Sequence, residues 1–354
     1  MDSLSDTSEF APTLLDWYEI HQRKLPWRAN PEPYHVWLSE IILQQTRVDQ
    51  GLPYYHNILR HYPNIQILAH APLDELLVLW QGLGYYSRAK NMHKAAQQVV
   101  NEFDGCFPNT YDKLLTLSGV GEYTAAAIAS ISFGEAQAVV DGNVYRVLSR
   151  YFAIEVPINS SKGKNEFKKL AQALLDTKQP SKFNQAMMEF GALQCTPNRP
   201  DCQACPLLVS CEAFRTKRIQ ELPVKIKSKP KKQRFLLYLF LKQGENTWIK
   251  QRLDRDIWQN LWEFPLLEFD KPFHLETILQ EKILENHLKT SFFIKTPLLF
   301  THTLSHQQIH AMFLPLVLTD PLYHQPEYKA VAMEDLSNFA LPKLLINFLD
   351  EYGK

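Results

Sequence analysis

Two carboxylates and four thiols are the residues of this 354-residue chain whose types and spacing could do chemistry. Glu40 lies among Trp37, Leu38, Ile41 and Leu43 in a stretch with helical periodicity. Such neighbours predict at least partial burial. Burial raises a carboxyl pKa and keeps the group protonated, the state a general acid needs. Asp141 precedes Gly142-Asn143-Val144-Tyr145-Arg146, where it can cap a helix start. The cap would fix its carboxylate while one oxygen faces a ligand. Two carboxylates in unlike environments are a recurrent device for breaking a glycosidic bond. One protonates the leaving group, and the other, ionised, steadies a positive sugar. The thiols are Cys195, Cys202, Cys205 and Cys211, spaced C-x6-C-x2-C-x5-C. Clustered thiols in an intracellular chain point to a metal rather than to disulfides. Four thiolates suit tetrahedral zinc or a [4Fe–4S] cluster, and spacing alone leaves both open. Cys106 stands apart and reads as a buried apolar residue.

The elements that must position these groups are mostly helical. Period 3.6 runs through about residue 215, with helices expected near 11–23, 34–50, 53–61, 73–80, 87–103, 111–117, 122–132, 143–152, 164–177 and 181–193. The stretch Leu117-Ser118-Gly119-Val120-Gly121-Glu122-Tyr123-Thr124-Ala125 reads as a tight turn between two helices. Two glycines there are free to take positive φ, so backbone can approach a phosphate at the second helix start. Pro223 and Pro230 then bracket a basic run, in which residues 212–234 hold nine Lys/Arg against two Glu. It includes Lys225, Lys227, Lys229, Lys231 and Lys232, and reads as a linker, solvated or facing DNA. Beyond it, Phe235 to Leu241 has the length of a buried strand, Gly244-Glu245-Asn246 makes a turn, and Thr247 to Lys250 starts a second strand. A helix is expected at 275–288 and strands at 296–303 and 308–318, which makes a small α+β domain. His302, His306 and His310 have helical metal-ligand spacing, but the alternation of Ile309, Ala311 and Phe313 argues for strand. Lys+Arg and Asp+Glu are both 38, so any nucleic-acid surface must come from charge distribution, not from net charge. No leader and no apolar run near 18 residues is found, so an intracellular, cytoplasmic and nucleoid-associated protein is expected.

Leu-x-Gly-Val-Gly-x-x-Thr-Ala, then Val-Asp-x-Asn-Val-x-Arg-Val, then the four cysteines, resembles the helix–hairpin–helix DNA glycosylase superfamily. Within it the chain is similar to the adenine DNA glycosylases of the MutY type. The resemblance implies an all-α helix–hairpin–helix glycosylase unit over 1–215, with a hairpin lobe at 26–135 and an iron–sulfur lobe made of 1–25 and 136–215. It further implies a basic linker at 216–232 and a C-terminal α+β Nudix-like domain at 233–354. The cluster implied on the four cysteines is [4Fe–4S]. Glu40 would protonate an extruded adenine and later activate water, Asp141 would steady the sugar cation, and Asn143 would orient Asp141 or the water. Tyr123 occupies the hairpin position where bifunctional relatives such as endonuclease III carry a Schiff-base lysine. A phenol forms no Schiff base, so water would release the base without strand cutting. A bifunctional pyrimidine-lesion glycosylase/lyase is the alternative, opposed by Tyr123 and the extra domain.

The remaining site residues rest on the same resemblance. Gly119, Val120 and Gly121 would hold the DNA backbone, and Gln45 and Tyr85 would fill the space a flipped nucleotide vacates. Trp27, Arg28 and Glu189 match positions around the adenine pocket. Ser305 and His306 match a pair that reads 8-oxoguanine on the opposite strand, supported by Trp248 to Arg252 and by Leu261-Trp262-Glu263-Phe264-Pro265. Leu304 replaces a bulkier aromatic there, and Ser118 replaces a proline in the hairpin. The glutamate-rich box of Nudix hydrolases is missing, so no nucleotide hydrolysis is implied. The partner implied is double-stranded DNA with adenine opposite 8-oxoguanine or guanine, bound by a monomer without membrane attachment. Replication or repair proteins are possible further partners.

Overall fold

Helices fill the chain up to Arg215, and a mixed sheet dominates the C-terminal third. The computed structural model describes residues 8–227, 230–319 and 326–353, so Lys229 of the basic run lies outside the described residues. By contact the chain divides into two units, Met1–His70 with Asn91–Lys227, and Ala71–Lys90 with Ser228–Lys354.

Four helices of the first unit carry the chemistry. The Pro33–Leu43 helix is buried from Tyr34 through Ile42 except at His35, with Pro33 at its first turn, where a missing N–H costs nothing. A helix largely apolar all round belongs inside a bundle, and Glu40 goes inside with it. The expected helix at 34–50 is two helices, because Gln45 takes φ 56° and the next helix is Val48–His61. The Glu122–Phe133 helix packs on Pro33–Leu43. Its run of Ala125, Ala126, Ala127 and Ala129 permits close approach, and Gly134 ends it at φ 69°. The third helix, Gly142–Tyr151, is capped by Asp141, whose side chain accepts from the Asn143 and Val144 backbone N–H groups. The fourth, Pro180–Leu193, packs on the third. Gly191 makes that approach possible, since a Cβ there would lie 2.6 Å from the Asn143 Cβ.

The second unit is built on strands β1 (Lys232–Gln243), β2 (Asn246–Gln251), β3 (Trp262–Glu263), β4 (Leu266–Phe269), β5 (Phe292–Ile294), β6 (Leu298–Thr303), β7 (Gln307–Leu318) and β8 (Lys329–Ala332). The order β3-β2-β1-β7-β5 forms the main path, with β4 on β1, β6 on β7 and β8 on β2. β1 and β7 run parallel, with Leu236 opposite Ala311 and Tyr238 opposite Phe313. Alternation explains the seven-residue apolar run. Leu236, Tyr238 and Phe240 face the Lys343–Tyr352 helix through Leu344, Leu345 and Phe348. Leu237, Leu239 and Leu241 face the helices Leu275–Gln280 and Ile283–Leu288 through Ile278, Leu284 and Leu288. Both faces of the strand are therefore covered. The single helix expected at 275–288 is broken where Lys282 takes φ 51°. His302 lies in β6 and His310 in β7, on paired strands of a hairpin and not along one helix. Cys106 is exposed, contrary to the buried position expected for it, because it follows the Asp104–Gly105 turn at the chain surface. Among the described residues no helix is long and apolar enough to cross a membrane.

Candidate active site

A cavity of about 520 Å³ in the first unit is lined by Trp27, Arg28, Glu40, Tyr123, Asp141, Asn143, Met188 and Glu189, among others. The four helices deliver most of these groups from separate parts of the sequence. Glu40 comes from the buried helix and is 7% exposed. Its Oε2 accepts a short hydrogen bond from the Tyr123 phenol, which also reaches the Met188 sulfur at 3.7 Å. Burial pushes the Glu40 carboxyl up to about 7, against the downward pull of the phenol's hydrogen bond. The nearby charge of Asp141 adds to the rise and Arg28 opposes it. Tyr123 itself is raised well above an ordinary phenol by burial and by Glu40, so it stays a donor.

Asp141 is held by three hydrogen bonds. Its Oδ1 accepts from Asn143 N–H at 2.9 Å and Val144 N–H at 2.8 Å, and its Oδ2 accepts from the Asn143 amide at 2.7 Å. Burial raises its pKa, and the hydrogen bonds from Val144 and Asn143 counter that. Asn143 is held in turn by Arg146, whose guanidinium donates to its Oδ1 at 2.8 Å, to Gly191 O at 2.6 Å and to Cys195 O at 2.7 Å. The extended approach to Asp141 is fixed by buried Asn184, which accepts from Val139 N–H at 3.0 Å and donates to Gln137 O at 2.8 Å. The carboxylate thus arrives in one orientation, with a helix start behind it.

Glu189 behaves differently from Glu40, although both line the cavity. Arg23 donates to it at 2.8 and 2.7 Å, and Arg28 at 3.1 and 2.8 Å. Burial alone would raise its pKa, but the two arginines overcome that and hold it at about 2. No motif in the sequence flags Arg23 or Met188. Arg146 lies inside a motif, but only its contacts reveal what it holds.

The other expected site residues lie outside this cavity. Gly119 takes φ 75°, and a Cβ there would lie 2.6 Å from the Asn91 Cβ. Gly121 has φ −91° instead, so only one of the two glycines uses the left-handed region. It serves as the cap of Glu122–Phe133, and no side chain caps that helix start. Val120 between them is buried. Gln45 and Tyr85 are both exposed non-glycine residues in left-handed backbone, at φ 56° and 48°. Ser305 and His306 line a second cavity, in the second unit, together with Tyr85. Their side chains meet at 3.1 Å.

The four cysteines lie beyond the Pro180–Leu193 helix, and Cys211 stands just before the Glu212–Arg215 helix. Arg150, almost fully buried, ties their loop together. Its guanidinium donates to Thr196 O at 2.7 Å, Pro197 O at 3.0 Å, Leu222 O at 3.1 Å and Cys195 Sγ at 3.4 Å. Cys205 interacts electrostatically with the other three. No set of three His, Cys, Asp or Glu side chains among the described residues is gathered tightly enough for a single metal ion.

A glutamate raised to about 7 by burial, sharing one cavity with a capped carboxylate beside the helix that begins at a Gly-Val-Gly hairpin, defines a class. Residues 38–173 match the family of HhH-GPD superfamily base excision DNA repair proteins, and residues 237–351 match a NUDIX domain. Whole-chain comparison is more specific. An adenine DNA glycosylase of Buchnera aphidicola subsp. Schizaphis graminum is 35% identical over 96% of this chain and 98% of its own. That of Buchnera aphidicola subsp. Acyrthosiphon pisum is 33% identical over 98% of each. The Homo sapiens adenine DNA glycosylase is 45% identical over 59% of this chain and 40% of its own. The chain belongs to the adenine DNA glycosylase family. Among solved structures, a thermostable thymine-DNA glycosylase is similar with TM-score 0.56 and 28% identity, over 59% of this chain and 97% of that one. An endonuclease III–DNA complex shares the fold, with TM-score 0.53 and 22% identity over 60% and 99%.

Proposed function

We propose that the protein is a monofunctional base-excision-repair enzyme that hydrolyses the N-glycosidic bond of adenine mispaired with 8-oxoguanine or guanine in double-stranded DNA. The single observation that carries this reading is the meeting of Glu40, Tyr123 and Asp141 around one cavity, with Glu40 raised to about 7 by burial. Stacked bases are out of reach, so the adenine is flipped into that cavity, and Gln45 and Tyr85 fill the gap. Glu40 in its acid form gives its proton to N7 of the adenine. The C1′–N9 bond then breaks, its electron pair leaving with the base, and the sugar becomes an oxocarbenium-like cation. Asp141 stabilises that charge from its fixed position. Glu40, now a carboxylate, takes a proton from water as the water oxygen bonds to C1′, which restores the acid. Asn143 orients Asp141, and Arg28 with Glu189 forms a rigid polar wall beside Trp27. Gly119 and Gly121 present backbone N–H groups to a phosphate, and Val120, whose own N–H is bonded to Leu117 O at 3.1 Å, holds the turn between them.

On this reading catalysis belongs to 1–215, a basic linker spans 216–232, and lesion reading by Ser305 and His306 belongs to 233–354. The four cysteines would hold a [4Fe–4S] cluster. They interact electrostatically with one another, yet among the described residues no three are gathered tightly enough for one ion. Four thiolates are a donor set that suits a cluster, and the match to the helix–hairpin–helix glycosylase family favours a cluster over zinc. When bound, the cluster would supply a rigid cross-link for a loop that Arg150 already gathers.

The test is incubation with a duplex carrying adenine opposite 8-oxoguanine, followed by alkali and product sizing. Cleavage at the adenine that depends on alkali is the expected result. Cleavage without alkali, with efficient borohydride trapping of enzyme on DNA, would support the bifunctional lyase instead. No release of adenine would overturn the reading.

A further inference from the structure

The second cavity, about 600 Å³, lies wholly within the second unit and is lined by Tyr85, Trp258, His302, Leu304, Ser305 and His306, among others. Trp258 takes no part in the chemistry of the first cavity. Its backbone adopts φ 59°, a conformation that costs a bulky side chain energy, and Asn260 adopts φ 71° two residues on. Strain of this kind persists only where surroundings impose it.

The surroundings are two arginines, Arg234 buried and Arg252 partly buried. Arg252 donates to Ile257 O at 3.1 Å, to Asp256 at 2.8 Å and to Glu263 at 2.9 and 2.7 Å. Arg234, on β1, donates to the same Asp256 at 2.9 Å and to Glu268 at 2.7 and 2.6 Å. Beyond the indole, Leu261 N–H closes on Trp258 O at 3.0 Å, and Asn260 N–H returns to Arg252 O at 2.7 Å. The loop is clamped on both sides of one strained residue. Its indole lies 5.8 Å from the His302 ring, centroid to centroid, at 58°. His302 is near the end of β6, and the turn that carries Ser305 and His306 begins just after Thr303, with Leu304 N–H bonded to Gln307 O at 2.9 Å. Burial lowers the His302 pKa, so its ring stays neutral beside the indole.

We propose that Trp258 is a positioning residue for lesion discrimination. Held by the Arg234–Asp256–Arg252 clamp, it braces His302 and so fixes the register of Ser305 and His306 in the cavity. The proposal rests on the assignment of that pair to lesion reading. Hydrogen bonds to the oxidised edge of 8-oxoguanine depend on register. Guanine lacks that edge, so loss of the brace penalises one mispair and not the other.

The full chain would be tested for binding to duplexes whose adenine carries a 2′-fluorine, which blocks cleavage by destabilising the sugar cation. The opposite base would be 8-oxoguanine or guanine. Trp258→Leu should cut the affinity ratio about ten-fold, roughly one lost hydrogen bond. Guanine-opposed binding should be unchanged, and Trp258→Phe should restore most of the ratio. His302→Ala, which removes the other ring, should reproduce the loss and serves if Trp258→Leu fails to fold. An unchanged ratio in His302→Ala or in folded Trp258→Leu, where Ser305→Ala/His306→Ala loses it, overturns this inference alone. If the Ser305/His306 variant also keeps the ratio, the lesion-reading role of that pair fails, and this inference with it. Equal loss on both mispairs would likewise overturn it and leave a merely structural tryptophan.

Discussion

Glu40 and Glu263 are both deeply buried glutamates, 7% and 2% exposed, one in each unit of the molecule. Glu263 is met by the Arg252 guanidinium at 2.7 Å, inside a network that also holds Arg234, Asp256 and Glu268. Glu40 has a phenol as its hydrogen-bond partner, and no ion pair reaches it among the described residues. A buried carboxylate paired with a cation, as Glu263 is with Arg252, still has its pKa raised by burial, but the cation opposes that rise and the pair fixes shape. One given only a neutral donor trades its charge for a proton. The same residue type therefore serves as scaffold in the sheet and as acid in the helices. The contrast recurs inside the helical cavity, where Glu189 carries two arginines and sits at about 2.

The comparison breaks most sharply at Glu40. Glu40→Gln keeps size and accepts the Tyr123 hydrogen bond but gives up proton transfer, so excision should fall by about 10³-fold or more. Stability should move the other way. The folded carboxyl is raised to about 7 from an ordinary 4.5, so the native state favours the protonated form. That contribution is complete below the unfolded pKa and disappears as pH climbs to the folded one. At pH ~8 the glutamine protein should be the more stable by on the order of 2–3 kcal/mol, and at pH ~4 nearly equal. Urea melts at the two pH values check this. Equal stability at both would mean Glu40 is an ordinary ionised carboxylate.

At the paired glutamate the expected loss is of stability, not of chemistry. Arg252→Met leaves Glu263 buried without its cation and should cost about 3–5 kcal/mol. The penalty should be larger at high pH, where Glu263 cannot escape by protonation. Denaturant unfolding monitored by probes in the sheet measures it. A cost under ~1 kcal/mol would show that the network is not holding the second unit.

Much of this contrast is legible in the sequence, for identifiable reasons. The apolar neighbours of Glu40 announce its burial, and Asp141 before Gly142-Asn143 announces a cap. The run Phe235–Leu241 announces a buried strand, because a strand covered on both faces needs no polar alternation. What stays hidden is partnership across long separations. Arg23 and Glu189 are 166 residues apart, and nothing local marks them as a pair. Short strands β3, β5 and β8 carry too few residues for a period to show, and the break at Gln45 has no glycine or proline to signal it. Cys106 departs from expectation because free cysteine is usually buried, and the turn at Asp104–Gly105 overrides that preference.

Asp141 sharpens the comparison at the next level. Asn is as good a helix cap as Asp, so Asp141→Asn should change stability by less than about 1 kcal/mol. The lost charge matters only when the sugar becomes cationic, and the rate of the chemical step should drop by about 10²–10³-fold. Single-turnover kinetics with unchanged DNA binding would separate the two roles. A large stability loss with little loss of rate would reduce Asp141 to a cap.

The smallest effect expected is at Tyr123, and it is the most diagnostic of how Glu40 is tuned. The phenol's hydrogen bond lowers the Glu40 pKa against the larger rise from burial. Tyr123→Phe removes the opposing influence, so the Glu40 pKa should rise further above its present value of about 7. Loss of one hydrogen bond should cost about 1 kcal/mol of stability, and excision below pH ~7 should stay within roughly ten-fold of the parent. The alkaline limb of the pH–rate profile should move to higher pH, because the acid form now survives longer as protons are withdrawn. A limb that moved to lower pH would mean that the phenol favours the protonated glutamate. Tyr123 would then be protecting the acid and not restraining it, and the balance of burial against hydrogen bonding described for this cavity would have the wrong sign.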